Sequence, residues 1–320
     1  NIFMIPFFAS VLLCFYFASM GSSNSRKEAL ITQLVFAALF FLTFISTFWF
    51  KTGKLEFVMV SNVYYLLCLL PIFLFYTSNK YVRILGYAAV LMCLVFSGKR
   101  GGLVAFVLFL LAEGFVAMLQ SKNSLKTVKI LGVSVIYVLI FNLIYAKLVY
   151  NFNLRIVERI LNVAKDGGSG RLRMYEQLFL SIKESSITEW IFGHGYYSTE
   201  EILVTHDAAH NDFLETMYDY GVLPTILLLL FYCSLMFIAF KMLKASYRYT
   251  GYFLGSVFIS LVLSTISIYC VTHTYVGFGM ASIGVILADW EKLKIGQNVT
   301  FGRSKEDFHE IYHSDYKSFD

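Results

Sequence analysis

What most constrains this sequence is a series of apolar runs of about 17–25 residues, each long enough to cross roughly 30 Å of hydrocarbon as a helix. They lie near residues 2–20, 29–50, 57–76, 82–98, 102–120, 128–146, 222–240, 252–271 and 274–290, and the break between the last two is short. The expected fold class is an all-α polytopic membrane protein with about nine transmembrane helices and one large external helical loop. Composition supports this: 58% of the 320 residues are hydrophobic and 15% are charged, whereas a soluble domain carries about 25% charged residues. The chain divides into N-terminal spans (1–146), a polar loop domain (147–221), C-terminal spans (222–290) and a polar tail (291–320).

The loops fix the expected orientation. If 147–221 lies outside the cytoplasm, the inner loops hold ten basic residues, among them Arg26, Lys80, Lys122 and Lys241. The short outer loops hold four: Lys51, Lys54, Lys99 and Arg100. The positive-inside rule favours this arrangement, with a cytoplasmic C-terminus. Nine spans then leave Asn1 outside, so one or more further N-terminal spans are expected. Residues 1–20 lack the basic region and cleavage site of a signal peptide.

Composition also narrows the function classes. A net charge of +5 fits orientation-setting lysines and arginines rather than nucleic-acid binding. Cys14, Cys68, Cys93, Cys233 and Cys270 all lie in apolar runs, with no CxxC pair to mark a disulfide or metal site. Only three prolines are present, which argues against a transporter built on broken helices.

The polar residues with chemical potential cluster. Ser97-Gly98-Lys99-Arg100-Gly101-Gly102 forms a glycine-flanked basic turn on the loop's side of the membrane. Glycines there allow close backbone approach to a ligand, and the cations suit a lipid phosphate; the alternative is a basic pair snorkelling to headgroups. In the long loop, Leu154, Val157, Ile160 and Leu161 within 151–165 show the spacing of an interfacial helix. Asp166-Gly167-Gly168-Ser169-Gly170 breaks it. A second amphipathic helix follows, with Leu172, Tyr175, Phe179 and Ile182 on one face and Ser169 as its N-cap. Arg171 then falls in a first turn, where free N–H groups already favour anions. A cation there opposes the helix dipole but suits phosphate binding.

Downstream, Gly193-His194-Gly195 marks a tight turn beside Trp190 and Phe192, with His194 either structural or ligand-binding. His206 and His210 stand four apart, which is metal-ligand spacing, but no glutamate follows His206 as a HExxH site requires. The better reading makes His210 a general base or hydrogen-bonding group near the start of a helix spanning Asn211–Tyr220, with Asp207 or Asp212 orienting it or capping that helix. Gly221 ends that helix, and Pro224 opens the next span. Glu113, within a span, is assigned a local role; His273 could line the same cavity as the loop residues.

Four segments in order carry a family resemblance: Ser97-Gly98-Lys99-Arg100-Gly101; Ser169-Gly170-Arg171-Leu172 with Tyr175; Phe192-Gly193-His194-Gly195-Tyr196; and Ala209-His210-Asn211-Asp212-Phe213-Leu214 with Tyr220-Gly221. Over roughly residues 95–240 the pattern resembles the O-antigen polymerase and O-antigen ligase superfamily (the Wzy and WaaL proteins). The resemblance implies a multi-pass enzyme of the bacterial inner membrane with a periplasmic loop. It implies an undecaprenyl-diphosphate-linked glycan donor, a glycan acceptor and membrane lipid as partners, with no nucleotide sugar, metal or other cofactor. A chain-length regulator and a flippase are further expected partners. By likeness, Arg100 and Arg171 hold the donor diphosphate and His210 activates the acceptor hydroxyl; Lys99, His194 and Asn211 join them as substrate-binding candidates. Lys99 departs from the small residues common at its position, and the chain is short for the family. The expected activity is polymerisation of repeat units, with glycan ligation as the alternative and transport as a remote third.

Overall fold

The computed structural model describes residues 4–21, 25–51, 54–57, 61–97, 99–120, 170–204, 208–266 and 275–300. The expected span at 128–146, the helix at 151–165, Ser169, His206, Asp207, His273 and the tail beyond Thr300 lie outside the described residues.

The described chain is helical throughout, with one exception. Helices α1 (Met4–Gly21) and α2 (Ser25–Thr47) lead into a short antiparallel hairpin, β1 (Phe48–Lys51) and β2 (Lys54–Phe57), with Phe48 opposite Phe57 and Lys51 opposite Lys54. The spans expected at 29–50 and 57–76 are both trimmed by it. Phe48-Trp49-Phe50 is a β-favouring run. Next come α3 (Val63–Tyr76), α4 (Lys80–Ser97) and α5 (Arg100–Gln120). The loop region supplies α6 (Arg171–Glu184), α7 (Ile187–Phe192), α8 (Ser198–Ile202) and α9 (Asp212–Tyr220). Helices α10 (Val222–Lys244), α11 (Thr250–Ile266) and α12 (Tyr275–Thr300) close the fold. Helix α12 runs ten residues into what the sequence marks as a polar tail from 291.

Four stretches are long and apolar enough to cross a membrane: Lys27–Ser46, Lys80–Ser97, Arg100–Gln120 and Val222–Lys244. Val11–Met20, Val63–Tyr76 and Thr250–Ile266 are apolar but shorter. Helix α3 shows why shortness is tolerated. Eleven of its residues, from Val63 to Leu74, are buried, as expected of a helix that is apolar all round and sits inside a bundle. It packs against α2, α4, α11 and α12. Outward faces are apolar instead: Phe41, Leu85, Leu111 and Phe237 are all exposed, the pattern of side chains facing lipid.

Without a water-driven hydrophobic effect, such helices are held by close packing over small residues. Helices α5 and α11 meet where Gly255 lies on the Phe109 ring; a Cβ there would come within 2.2 Å of it. Glu113, one turn along α5, accepts a 2.5 Å hydrogen bond from the Tyr87 hydroxyl and packs on Gly251. That contact is the local role expected for it.

A second, smaller cluster lies within the loop region. Met174, Leu178, Leu203, Ala209 and Tyr218 bury one another, with Ile182, Ile202 and Leu214 at the margin. It gathers α6, α8 and α9 around one core and fixes the segment that carries His210.

Candidate active site

Helix α6 starts at Arg171. Its N-cap is Gly170, in the left-handed region at φ 82°, with no side-chain cap. Gly170 thus takes the position the sequence reading gives to Ser169. The apolar face also differs from expectation. Met174 and Leu178 are the buried residues, Tyr175 and Ile182 are partly buried, and Leu172 and Phe179 are exposed. The core selects the face that meets α9, while Leu172 and Phe179 fall on the opposite side.

From that first turn, Arg171 Nη1 donates to the carbonyl oxygen of Ile266, the last residue of α11. The final carbonyls of a helix lack intrahelical partners and sit at its negative end, so a guanidinium there is doubly favoured. Arginine carries several N–H donors in a fixed fork, and this bond spends one of them. One turn further on, the Tyr175 hydroxyl donates to the carbonyls of His210 at 3.1 Å and Thr265 at 3.4 Å. Tyr175 also hydrogen-bonds the Asn211 side chain. Burial raises the Tyr175 hydroxyl above its ordinary range, against the pull of nearby Arg171, which keeps it a donor. Arg171 and Tyr175 therefore lock α6 to the end of α11 and to the His210 segment together.

Ile266 also reaches the first motif. Its Cδ1 lies 3.2 Å from where a Cβ on Gly101 would stand, so the start of α5, with Arg100 as its first residue, adjoins the same end of α11. Arg100 and Arg171, seventy-one positions apart, are thus brought to one corner of the bundle. Gly101 and Gly102, which follow Arg100, pack against the bundle. Gly102 lies against Leu94 and the Tyr64 ring, where a Cβ would meet Leu94 Cδ2 at 2.4 Å. They let α5 close on α3 and α4. Ser97 is buried with its hydroxyl on the Leu94 carbonyl, and Lys99 Nζ stands 5.9 Å from the centre of the Tyr64 ring, within cation–π range.

His210 is held in a demanding conformation. It is a non-glycine residue at φ 55°, and such left-handed positions persist only where the surroundings over-determine them. Here four bonds do so. Tyr175 holds the His210 carbonyl, Glu215 Oε2 accepts the Ala209 N–H at 3.1 Å, and Asn211 Oδ1 accepts from Phe213 and Leu214 N–H, both at 3.1 Å. Asn211 is the N-cap of α9. Its side chain is committed to that cap and to Tyr175. His210 is partly open to solvent.

Beneath this segment lie three buried acids on α9: Asp212, Glu215 and Asp219. Burial, then the neighbouring Asp212 and Asp219 carboxylates, push the Glu215 carboxyl up to about 8, against the Ala209 N–H that favours its charge. Asp219 is likewise raised by burial, although the Thr199 N–H and hydroxyl both donate to it at 2.8 and 2.7 Å.

His194 belongs to a different structure. Its Nδ1 lies 3.1 Å from the Tyr218 carbonyl, its Nε2 3.2 Å from Ser185 Oγ, and its ring stacks on Tyr218 at 4.1 Å. Both ring nitrogens are engaged with the loop itself. The flanking main chain interlocks with the end of α9: His194 N–H donates to the Tyr218 carbonyl and Gly195 N–H to that of Asp219, both at 2.9 Å. Gly193 and Gly221 have φ 77° and 85°, and a Cβ on either would come within 2.2 Å of a facing carbonyl oxygen, that of Asp219 or Ile191. The glycines of the third and fourth motifs are two halves of one backbone contact.

Tyr175, Ile266 and Glu215 are the residues that join the site and that the chemistry-led reading passed over. Tyr175 stands four residues after Arg171, on the same helical face, so its spacing carried the signal. Ile266 acts through its main chain and had none. Among the described residues, no group of three or more His, Cys, Asp or Glu side chains is placed to hold a metal ion.

Long apolar helices and a separate loop core together define a multi-pass helical membrane protein with a site built where the loop meets the bundle. Residues 85–230, from α4 into α10, match the model of the O-antigen ligase family (Wzy_C). All four motifs fall inside that range, which supports the O-antigen ligase and polymerase superfamily that they resemble. By its description that family comprises O-antigen ligases. No curated protein matches the chain.

Proposed function

We propose that this protein polymerises undecaprenyl-diphosphate-linked oligosaccharide repeat units into O-antigen or a related surface polysaccharide at the periplasmic face of the membrane. The observation that carries the reading is the convergence on the last two residues of α11: Arg171 through its hydrogen bond to Ile266, the start of α5 with Arg100 through Gly101 beside Ile266, and His210 through Tyr175, which also reaches the Thr265 carbonyl. An acceptor hydroxyl on one lipid-linked unit attacks the anomeric carbon of the sugar attached to diphosphate on another. The new glycosidic C–O bond forms, the sugar–diphosphate C–O bond breaks, and undecaprenyl diphosphate leaves with the bonding pair. His210 takes the hydroxyl proton. Arg100 and Arg171 neutralise the leaving diphosphate, and Lys99 adds charge nearby, so the chemistry is proposed to be metal-independent. His194 and Asn211 serve this site by shaping the loop.

In this reading residues 147–221 form a periplasmic loop domain between N-terminal spans (1–146) and C-terminal spans (222–290), with 291–320 on the cytoplasmic side. A chain-length regulator and a flippase would work alongside it. Ligation is the second reading, favoured by the description of the matching family as O-antigen ligase; the donor chemistry is shared and only the acceptor differs. Purified protein incubated with a single lipid-linked repeat unit and no other acceptor decides between them. A ladder of chain lengths is expected. Unextended donor, with transfer appearing only on addition of lipid A-core, would overturn the polymerase reading in favour of the ligase.

A further inference from the structure

Helix α7 has six residues, four of them large and apolar, and none is buried. Ile187 is 81% exposed and Phe192 73%, with Trp190 and Ile191 also exposed. An isolated helix this short is far below the length that is stable in water. It is held by its ends: a capping box joins Ser186 and Glu189, and the Ile191 carbonyl lies against Gly221. Its main chain and the Glu189 carboxylate, 4.0 Å from His194 Nε2, tie α7 to the protein, and its large apolar groups are all exposed.

Its position identifies what covers them. Helix α7 packs beside the start of α10, a stretch long and apolar enough to span the bilayer. Leu223 and Leu227 in the first turns of α10 are exposed as well. The apolar surface of α7 thus continues the lipid-facing surface of α10 at the level where that span leaves the membrane. A tryptophan is the residue type enriched at that depth. Ser186 and Glu189 at the other end of α7 are exposed polar groups suited to water and headgroups.

We propose that α7 is a membrane-interface foot: Ile187, Trp190, Ile191 and Phe192 insert about 5–10 Å into the boundary between headgroups and acyl chains, seating the loop domain on the bilayer. The partner is the lipid surface itself. The inference holds for a polymerase or a ligase alike, since it concerns neither the acceptor nor the reacting groups.

The test uses the whole chain in phosphatidylethanolamine–phosphatidylglycerol vesicles. Subtracting the fluorescence of Trp190→Phe from that of the unmodified protein isolates the Trp190 signal from those of Trp49 and Trp290. Bromine placed on acyl carbons near the headgroup should quench that signal more than bromine near the chain end, and aqueous iodide should quench it little. A signal quenched by iodide and untouched by brominated lipid would overturn the proposal. So would a signal silent to both, which would place another protein or a second copy over α7. Phe192→Trp provides a second reporter with the same expected order of quenching, should Trp190→Phe disturb the fold.

Discussion

The guanidinium of Arg171 donates to the main-chain carbonyl of Ile266, so the first residue of α6 is tied to the last residue of α11. This contact makes a loop that is remote in sequence part of the membrane bundle. It also defines where the first prediction bites.

Replacing Arg171 or Arg100 with Ala should reduce the transfer rate by roughly 10²–10³, the range for removing one donor that stabilises developing negative charge. Arg171→Lys should recover only part of this, because an ammonium lacks the planar fork. Product ladders from purified variants, normalised to folded protein, measure it; wild-type ladders from Arg171→Ala would remove that residue from the site.

His210 and His194 should separate cleanly. His210→Ala should cost roughly 10²–10⁴ in rate with the thermal midpoint little changed. His194→Ala loses a stacked ring and its hydrogen bonds to Ser185 and Tyr218, and should cost roughly 2 kcal/mol of stability. Its rate per folded molecule should stay near that of the wild type. Parallel thermal unfolding and turnover measurements distinguish the two.

Three glycines form an internal control. Gly170, Gly193 and Gly221 share a positive φ, but a Cβ on Gly170 meets nothing within 4 Å. Gly170→Ala should therefore cost only the conformational strain, about 1–2 kcal/mol. Gly193→Ala and Gly221→Ala add a collision with backbone and should cost roughly 3 kcal/mol or more. Unfolding of detergent-solubilised variants by heat would reveal the gap.

Glu215 predicts a pH dependence. Its folded carboxyl titrates near 8, above the roughly 4.3 of an unfolded glutamate. Between those values the folded state holds a proton that the unfolded state releases. Its contribution is therefore fully present below about pH 4.3 and is lost as pH rises towards 8. Glu215→Gln keeps an acceptor for the Ala209 N–H and should flatten the thermal midpoint across that window. An unchanged slope in the variant would assign the effect elsewhere.

Hydrophobic runs made the membrane helices legible, because a span must be apolar along its whole length. They failed where another signal competed. At Phe48–Phe57 a run of aromatic residues pairs into a hairpin, and α3 stayed short because protein rather than lipid surrounds it. In the site, charge and spacing singled out Arg100, Arg171 and His210, since such residues are costly without a use. The glycines were visible but their purpose was not: close approach to a ligand and close approach to another strand of backbone look alike in sequence. Tyr175 was visible by its spacing from Arg171, but the sequence reading placed it on an apolar face, since its contribution lies in one hydroxyl. Ile266 could not have been found, because only its main-chain oxygen and its proximity to Gly101 matter.

One residue, Gly221, separates α9 from α10, and its Cα lies against the Ile191 carbonyl with no room for a side chain. The joint has no slack. Any change in the tilt of α10 must be passed on to α9, and with it to the His210 segment at the far end, rather than being absorbed by a flexible linker. The thickness of the surrounding bilayer, which sets how such a span leans, therefore becomes a mechanical input to the geometry of the proposed transfer site.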